Sequence, residues 1–193
     1  MSKSSTTSSS APEEEIGGEI LPSVARAAII ERLNGKPPKP APPEPVGYLA
    51  EERGVFITLY DKHGEIRAFT GTTVPECANI VEETRQSACK AAFEDPNFKP
   101  VKDRRELNTL RIEVCVLEKP EKVDSIIDLD PEIYGVILTA TKRGVSGFMM
   151  PHVKGLNTVD KQLAAIRRQA GLRPDERLKI ERFRAEKFIE PNK

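Results

Sequence analysis

Residues 65–76, EIRAFTGTTVPE, bring an arginine, an aromatic ring and three threonines together where a predicted strand is followed by a predicted helix. Ile66 and Ala68 have the alternation of a strand, and we expect both to face the core. Arg67 then shares the opposite face with Phe69. A guanidinium beside an aromatic ring can bind an anion through two parallel hydrogen bonds, although an arginine on a strand is more often only solvated. The segment gives Arg67 as the first candidate ligand-binding residue.

The second half of this segment has the pattern of a helix start. Thr73 and Glu76 have the spacing of a capping box, in which a hydroxyl and a carboxylate bind free N–H groups of the first turn. Pro75 is tolerated in a first turn, and Gly71 lets the chain leave the strand. We therefore expect a helix over residues 76–93, and these residues need no ligand to explain them.

Two further side chains are candidates for acid–base chemistry. His152 follows a predicted strand end, where a loop can present it, and Glu113 is expected to share a strand face with Arg111 and Cys115. An imidazole and a carboxylate can exchange protons with a substrate that Arg67 positions. The structural alternatives are a solvated loop histidine and a cross-strand ion pair. His152 and Glu113 are thus the catalytic candidates of an enzymatic alternative.

The candidate ligand-binding set extends from the Arg67 segment to a second predicted turn and strand end. Its members are Arg67, Thr70, Gly71, Thr72, Arg143 and His152. The sequence has two histidines, no Cys-x-x-Cys pair and no His-Glu-x-x-His motif, so we expect neither a metal site nor a cofactor. Cys77 would lie in the first turn of its helix, where the helix dipole can activate a thiol, but its place in the apolar stripe favours burial.

Hydrophobic periodicity and turn signals predict the elements around these candidates. Helices with apolar stripes are predicted over residues 21–35, 76–93 and 157–171. Hairpins are predicted over residues 54–71 and 134–150, and single strands over residues 109–118 and 178–190. Strands grouped in hairpins indicate an α+β fold, with a mainly antiparallel sheet built from hairpins and about three packed helices.

Two segments depart from this pattern. Residues 1–18 are rich in serine and threonine and then acidic, which predicts a disordered tail. Residues 36–45 contain six prolines, so they are predicted to run extended as a strap. The remaining sequence, residues 19–190, is predicted to form a single domain that carries this strap.

The overall composition excludes several kinds of partner. Basic and acidic residues both number 30, and excess positive charge is what drives binding to nucleic acids and anionic membranes, so we expect neither partner. Arginines do cluster near the C-terminus, but acidic residues are interleaved with them. The sequence has no membrane-spanning apolar run and no signal-peptide pattern, and its three cysteines show no paired spacing. These features predict reduced thiols and a cytoplasmic location.

Several blocks of the sequence are similar to one known family. IRAFTG, ACKAAFEDPNFKPV, ELNTLRIEVCVLEKPEKV, YGVILTATKRGVSGFMMPHV and VDKQLAAIRRQAGL occur in the order and spacing of the AMMECR-type domain. The sequence resembles this family from residue 20 to about residue 190. Bacterial and archaeal members are often called AmmeMemoRadiSam system protein A, after an association with a Memo-type protein and a radical-SAM enzyme. The resemblance therefore implies those two proteins as possible partners.

The sequence departs from the family pattern at two places. The family motif Leu-Arg-Gly-Cys-Ile-Gly aligns with residues 66–71, where the arginine and the final glycine are kept, but Ala68 replaces the glycine before the cysteine and Phe69 replaces the cysteine itself. A phenylalanine is neither a nucleophile nor a metal ligand, so a role that needs that thiol is not open to this chain. The family tends to have Pro-Gln-Val where this chain has His152 between proline and valine.

Together, the residues and the resemblance predict an accessory or binding domain that is not catalytic by itself. We expect it to hold a partner protein, either of the Memo type or a radical-SAM enzyme, or a small anionic ligand, in a groove near Arg67. The alternative is an enzyme that uses Arg67, Glu113 and His152 on a small anionic substrate.

Overall fold

The computed structural model describes residues 17–36 and 45–191, so the predicted tail up to residue 16 and most of the predicted strap lie outside the described residues. Within these two ranges, no helix is both long and apolar enough to cross a lipid bilayer. Gly18, which the sequence placed in the tail, is buried in a short 3-10 turn. A Cβ atom on Gly18 would lie only 2.1 Å from the ring of Phe188, which explains the glycine.

The described ranges contain four α-helices and eight strands. The helices are α1 (Leu21–Leu33), α2 (Ile80–Phe93), α3 (Arg104–Thr109) and α4 (Val159–Ala170). The strands are β1 (Val55–Tyr60), β2 (Ile66–Gly71), β3 (Arg111–Leu117), β4 (Glu121–Lys122), β5 (Gly135–Ala140), β6 (Ser146–Met149), β7 (Leu178–Phe183) and β8 (Ala185–Ile189).

The strands form two four-stranded antiparallel sheets. The first has the order β2-β1-β3-β8, and the second has the order β4-β7-β5-β6. The two predicted hairpins are present as β1–β2 and β5–β6. The α+β class with antiparallel hairpins and packed helices is therefore confirmed, with the strands divided between two sheets.

The helices cover the outer faces of the two sheets. Helices α1 and α2 pack on the first sheet, where Ile29, Ile57 and Ile112 are fully buried in one apolar cluster. Helix α4 packs on the second sheet through Ile166, which is buried beside Leu138. Burial of this apolar surface is the main driving force that fixes the helices on the sheets.

A smaller apolar cluster joins the two sheets to each other. Phe56 and Cys115 project from the face of the first sheet that the helices do not cover, and they meet Ile137 and Phe183 of the second sheet. This contact explains why β1 is buried on both faces. It also leaves the rest of that face of the first sheet as one wall of a cavity.

The C-terminal segment is two strands rather than the single strand that the sequence predicted. β7 pairs with β5 in the second sheet, and β8 pairs with β3 in the first sheet. The change of sheet occurs at Arg184, whose carbonyl accepts a hydrogen bond of 2.9 Å from the Glu118 amide. The prediction of a single strand missed this change, although the alternation breaks between Ile180 and Phe183, which pack in different apolar clusters.

Helix α2 begins at Ile80, four residues later than predicted, and the predicted capping box is absent. The Asn79 side chain caps the helix by accepting a hydrogen bond of 2.9 Å from the Glu82 amide. The Glu83 carboxylate, 1% exposed, accepts from the amides of Glu76 at 2.7 Å and Cys77 at 2.8 Å. These two amides are thus satisfied outside the helix, which removes any need for a helical turn at Thr73. The six-residue helix α3 was not predicted.

Candidate functional site

A β-bulge in β2 determines which of its side chains reach the candidate site. Leu59 pairs with Ala68 and Tyr60 pairs with Ile66, so Arg67 has no residue opposite it on β1. One extra residue reverses the alternation of faces beyond the bulge. Ala68 is fully buried as predicted, but Ile66 is turned away from the core and is 51% exposed. The prediction that Ile66 faces the core is wrong for this reason.

Arg67 is held by the protein itself, on the side of α3. Its Nη2 atom donates hydrogen bonds of 2.7 Å to the Glu106 carboxylate and 2.7 Å to the Lys99 carbonyl. The Arg67 side chain is 22% exposed. The guanidinium therefore joins strand β2 to helix α3.

A cavity of about 430 Å³ lies on the other side of β2, between the first sheet and the segment that follows β6. We call it the intersheet cavity. The first sheet contributes Tyr60, Phe69 and Glu113 to its lining, and the segment after β6 contributes Met150 and His152. Arg67 is absent from this lining, so the structure does not bring Arg67 together with Glu113 and His152.

Aromatic rings form one wall of the intersheet cavity. The Phe56 and Phe69 rings are stacked with centroids 5.3 Å apart, and the Phe56 and Phe148 ring centroids are 4.9 Å apart. Phe69 is 36% exposed. A partly exposed aromatic wall attracts apolar or aromatic groups, because such contacts remove apolar surface from water.

A polar group stands at the edge of this wall. The Tyr60 hydroxyl donates a hydrogen bond of 3.4 Å to Glu113, and Lys187 Nζ lies 3.8 Å from the same carboxylate oxygen. Burial raises the pKa of Tyr60, and the Glu113 charge raises it further. Glu113 is therefore in the cross-strand ion pair that the sequence gave as its structural alternative.

His152 lies at the mouth of the cavity in an unusual backbone conformation. Its φ angle is 58°, and it is the one non-glycine residue with positive φ in residues 17–36 and 45–191. The His152 amide donates a hydrogen bond of 2.9 Å to the Pro131 carbonyl, and its Nδ1 atom lies 3.2 Å from the Glu132 carboxylate. Such strain persists only where neighbouring contacts impose it, and it is enriched at functional sites.

Thr70, Gly71 and Thr72 have structural contacts at the end of β2. The Thr70 hydroxyl lies 3.5 Å from the Asp95 carboxylate, which also accepts 2.9 Å from the Phe69 amide and so covers the open edge of the strand. A Cβ atom on Gly71 would lie 2.2 Å from the Val55 carbonyl oxygen, so no side chain fits there. The Thr72 hydroxyl donates 2.6 Å to the Val74 carbonyl.

Arg143 lies in a different part of the molecule from the intersheet cavity. It sits in the β5–β6 turn and forms a two-pronged ion pair with Glu176, and its Nη2 atom also donates 3.1 Å to the Gly171 carbonyl. A separate cavity of about 520 Å³ is lined by Arg143 and its neighbours. The predicted ligand-binding set thus divides between distinct surfaces.

The three cysteines are free thiols, and none of them has an activating environment. Cys77 precedes helix α2 and is not on the same helix as Cys89, contrary to the sequence prediction. Burial raises the pKa of Cys77 to about 11, with further contributions from Glu83 and other acidic neighbours. Burial also raises the pKa of Cys115, in the floor of the intersheet cavity, to about 12. In the part of the chain that the structure describes, no three His, Cys, Asp or Glu residues cluster as metal ligands.

The sequence did not single out Tyr60, Phe148 and Lys187, which line the intersheet cavity. A signal was present for the first of these, because Tyr60 shares the second face of β1 with Phe56 and Thr58. A strand with apolar residues on both faces must be covered on both sides, and that cover encloses the cavity. Lys187 had no comparable signal, since it was assigned to a strand whose pairing the sequence did not specify.

Comparison with known proteins places these features in one family. The sequence profile of the AMMECR1 family matches residues 22–188. A protein from Thermotoga maritima is 35% identical over 155 residues, which cover 80% of this chain and 87% of that protein. A protein from Thermococcus onnurineus is 37% identical over 194 residues, covering 90% of each chain. The crystal structure of the uncharacterised protein PH0010 from Pyrococcus horikoshii superposes with a TM-score of 0.78 and 29% identity, covering 90% of this chain and 91% of that one.

Proposed function

The chain belongs to the AMMECR1 family, and we propose that it is an accessory binding domain whose intersheet cavity receives an aromatic or aliphatic group of a partner protein. The observation that carries this proposal is the exposed aromatic wall around Phe69, bounded by the Tyr60–Glu113 group. Hot spots of protein interfaces combine an apolar pocket with a few polar groups that fix orientation. The domain does not act as a catalyst by itself in this proposal.

The resemblance described above supports the same location. Phe69 stands where the family motif has cysteine, and His152 stands where the family tends to have glutamine. Both residues line the intersheet cavity. These two departures therefore change one surface, and they replace a thiol and an amide with ring side chains. A third departure, Ala68 in place of the motif glycine, is buried on the opposite face of β2. The change of the cavity surface favours a ligand group that stacks on rings over one that reacts with a thiol.

Arg67 is a weaker candidate for the ligand contact than the sequence indicated. Its guanidinium already binds Glu106 and the Lys99 carbonyl. An anion would have to displace a carboxylate that is itself held by the Lys102 amide at 2.9 Å. We therefore assign the proposed binding role to the intersheet cavity.

The partner class that we propose is the one implied by the resemblance, a Memo-type protein or a radical-SAM enzyme. Affinity capture from native extract tests it directly, with the wild-type chain and Phe69→Ala compared in parallel. Recovery of either protein by the wild type and its loss with Phe69→Ala supports the proposal. Recovery that Phe69→Ala leaves unchanged would place the partner surface elsewhere.

Methionine methyl groups allow a direct test of the cavity with a small probe. The chain has three methionines, and Met149 and Met150 line the cavity whereas the third is at position 1. Indole titrated into protein with 13C-labelled methionine methyls should shift the signals of Met149 and Met150. Phe69→Ala should weaken binding about tenfold, because an aromatic contact of the wall is lost.

The matched control for this titration is Ile127→Ala, which removes an apolar side chain that is 87% exposed and does not line the cavity. We expect that variant to bind indole as the wild type does. No shift of either methionine signal at millimolar indole would contradict the proposal.

An enzymatic function is the second candidate, because Glu113 and His152 line one cavity. Its third predicted member, Arg67, does not line that cavity. Conversion of a small anionic substrate that is lost in His152→Ala and Glu113→Gln but retained in Arg67→Ala would favour this candidate over the binding domain.

A further inference from the structure

A second cavity, distinct from the intersheet cavity, is lined mainly by cations. It has a volume of about 520 Å³ and lies between the β5–β6 turn and the segment that joins α4 to β7. We call it the basic cavity. Its cationic lining residues are Lys142, Arg143, Arg173 and Arg177. Asp175 and Glu176 are the acidic residues of the lining, so cations outnumber anions by four to two.

One of the two acidic residues is already neutralised within the fold. Glu176 accepts a two-pronged ion pair from Arg143 and a hydrogen bond of 2.9 Å from the Arg173 amide. The remaining charged side chains of the lining are the cations Lys142, Arg173 and Arg177 and the exposed acid Asp175. The field in the basic cavity is therefore positive, although the whole chain has no net charge.

The backbone that carries these cations is fixed by hydrogen bonds. The Arg177 carbonyl accepts from both the amide and the hydroxyl of Thr141, each at 3.1 Å. The Arg173 carbonyl accepts 2.9 Å from Arg167 Nη1. The β5–β6 turn and the segment before β7 are thus joined at Thr141. Ligand binding therefore does not have to order the loops that present the charges.

We propose that the basic cavity binds the phosphate groups of a small phosphorylated ligand. Arginine guanidinium groups match phosphate oxygens in geometry, and three arginines line this one cavity. A cavity of 520 Å³ has the size of a site for a compact ligand. A long nucleic acid needs an extended basic surface, and the 30 basic and 30 acidic residues of the chain do not favour one.

This inference is independent of the proposed function of the intersheet cavity, because the two cavities share no lining residue. It also gives a location to the anion binding that the sequence suggested near Arg67. Of that predicted set, Arg143 is the member that lines the basic cavity, where it holds Glu176 in place. Lys142, Arg173 and Arg177 are the cationic side chains that remain for direct phosphate contact.

Calorimetric titration of the full chain with inorganic triphosphate tests this inference. We expect saturable binding that weakens at higher salt, because ion pairing in solution is screened. Arg173→Glu and Arg177→Glu should each weaken binding by at least about tenfold, as expected when an attractive charge becomes a repulsive one. Arg177→Gln, which removes the charge without adding repulsion, should give a smaller loss.

The matched control is Arg168→Glu, an equal change of charge at an exposed position of α4 that does not line the basic cavity. It should leave triphosphate binding within about twofold of wild type, since an exposed charge that does not line the cavity acts on the ligand only through screening solvent. Absence of binding to wild type overturns the inference, as does an equal loss in Arg168→Glu. A single-stranded oligonucleotide that binds more tightly than triphosphate would also overturn it, because the ligand would then be a polymer.

Discussion

Arg67 and Glu106 form an ion pair of 2.7 Å that connects an edge strand to a short helix. Glu106 also accepts from the Lys102 amide, and Asp103 caps the same helix through the amides of Arg105 and Glu106. The side chains of the pair are 22% and 26% exposed. The residue that the sequence presents as a ligand contact therefore has an internal partner of opposite charge.

Arg67→Ala should lower the free energy of unfolding by about 1 kcal/mol, as expected for a partly exposed ion pair with an added hydrogen bond. A double-mutant cycle with Glu106→Ala, measured by urea unfolding, isolates the pairwise contribution. Arg104→Ala, an exposed arginine on the same helix, is the control and should change stability little. An Arg67→Ala variant of wild-type stability would show that the pair does not join strand to helix.

Gly71→Ala should destabilise the protein more than Gly64→Ala. A Cβ at position 71 would lie 2.2 Å from the Val55 carbonyl oxygen and 2.5 Å from the Phe56 Cα, so the two strands would have to separate. We expect a loss of about 3 kcal/mol or more from this overpacking. Gly64 has open space around it but a φ of 82°, so alanine there should cost only about 1 kcal/mol. Equal losses in urea unfolding would contradict the steric explanation.

The ion pair at Glu176 predicts a specific dependence of stability on pH. The hydrogen bond from Arg143 is the largest cause that lowers the pKa of Glu176, from an ordinary 4.5 to about 2. A lowered pKa in the folded state means that the carboxylate stabilises the fold fully above about pH 4.5 and loses this effect as pH falls towards about 2. The stability difference between wild type and Glu176→Gln should therefore be largest near neutral pH and shrink through this window.

Urea unfolding of wild type and Glu176→Gln between pH 2 and pH 7 measures this difference. Asp124→Asn is a suitable control, because the Asp124 side chain is 86% exposed beside Lys122 and we expect little effect at any pH. A difference between wild type and Glu176→Gln that stays constant across the whole range would exclude the ion pair as its cause.

The cysteines should be poorly reactive in the folded protein. With a pKa of about 11, Cys77 is a thiolate in about one molecule in a thousand at pH 8, and the thiolate is the nucleophile. Alkylation by iodoacetamide at pH 8, followed by mass spectrometry, should be much slower for Cys77 and Cys115 in the native chain than in urea. Rapid native labelling of Cys77 would mean that its surroundings activate the thiol after all.

The sequence predicted most elements because their signals are local. Thr158 and Gly171 bound helix α4 as capping rules require, and Gly35 follows α1 with a φ of 67°. The start of α2 could not be predicted in this way. The amides of residues 76 and 77 bind the Glu83 carboxylate from the first turn of α2, whereas the Thr73 spacing suggests a capping box with Glu76.

The candidate site was predicted only in part, because Arg67 in β2 has no residue opposite it on β1. The bulge at Arg67 moves Ile66 to the cavity side and Arg67 to the α3 side, whereas simple alternation places them the other way round. Two strands that alternate perfectly give no indication of a bulge. The sequence proposed His152 and Glu113 as acid–base candidates, and both line the intersheet cavity.

The order of strands in the first sheet has a consequence for biosynthesis. β1, β2 and β3 lie within residues 55–117, but β8, which pairs along β3, comes from residues 185–189. During translation, the edge of β3 that pairs with β8 stays unpaired until nearly seventy further residues have been synthesised, and the second sheet emerges from the ribosome in that interval. The nascent chain is then open to intermolecular strand pairing at that edge, so chaperone demand should be greatest late in synthesis.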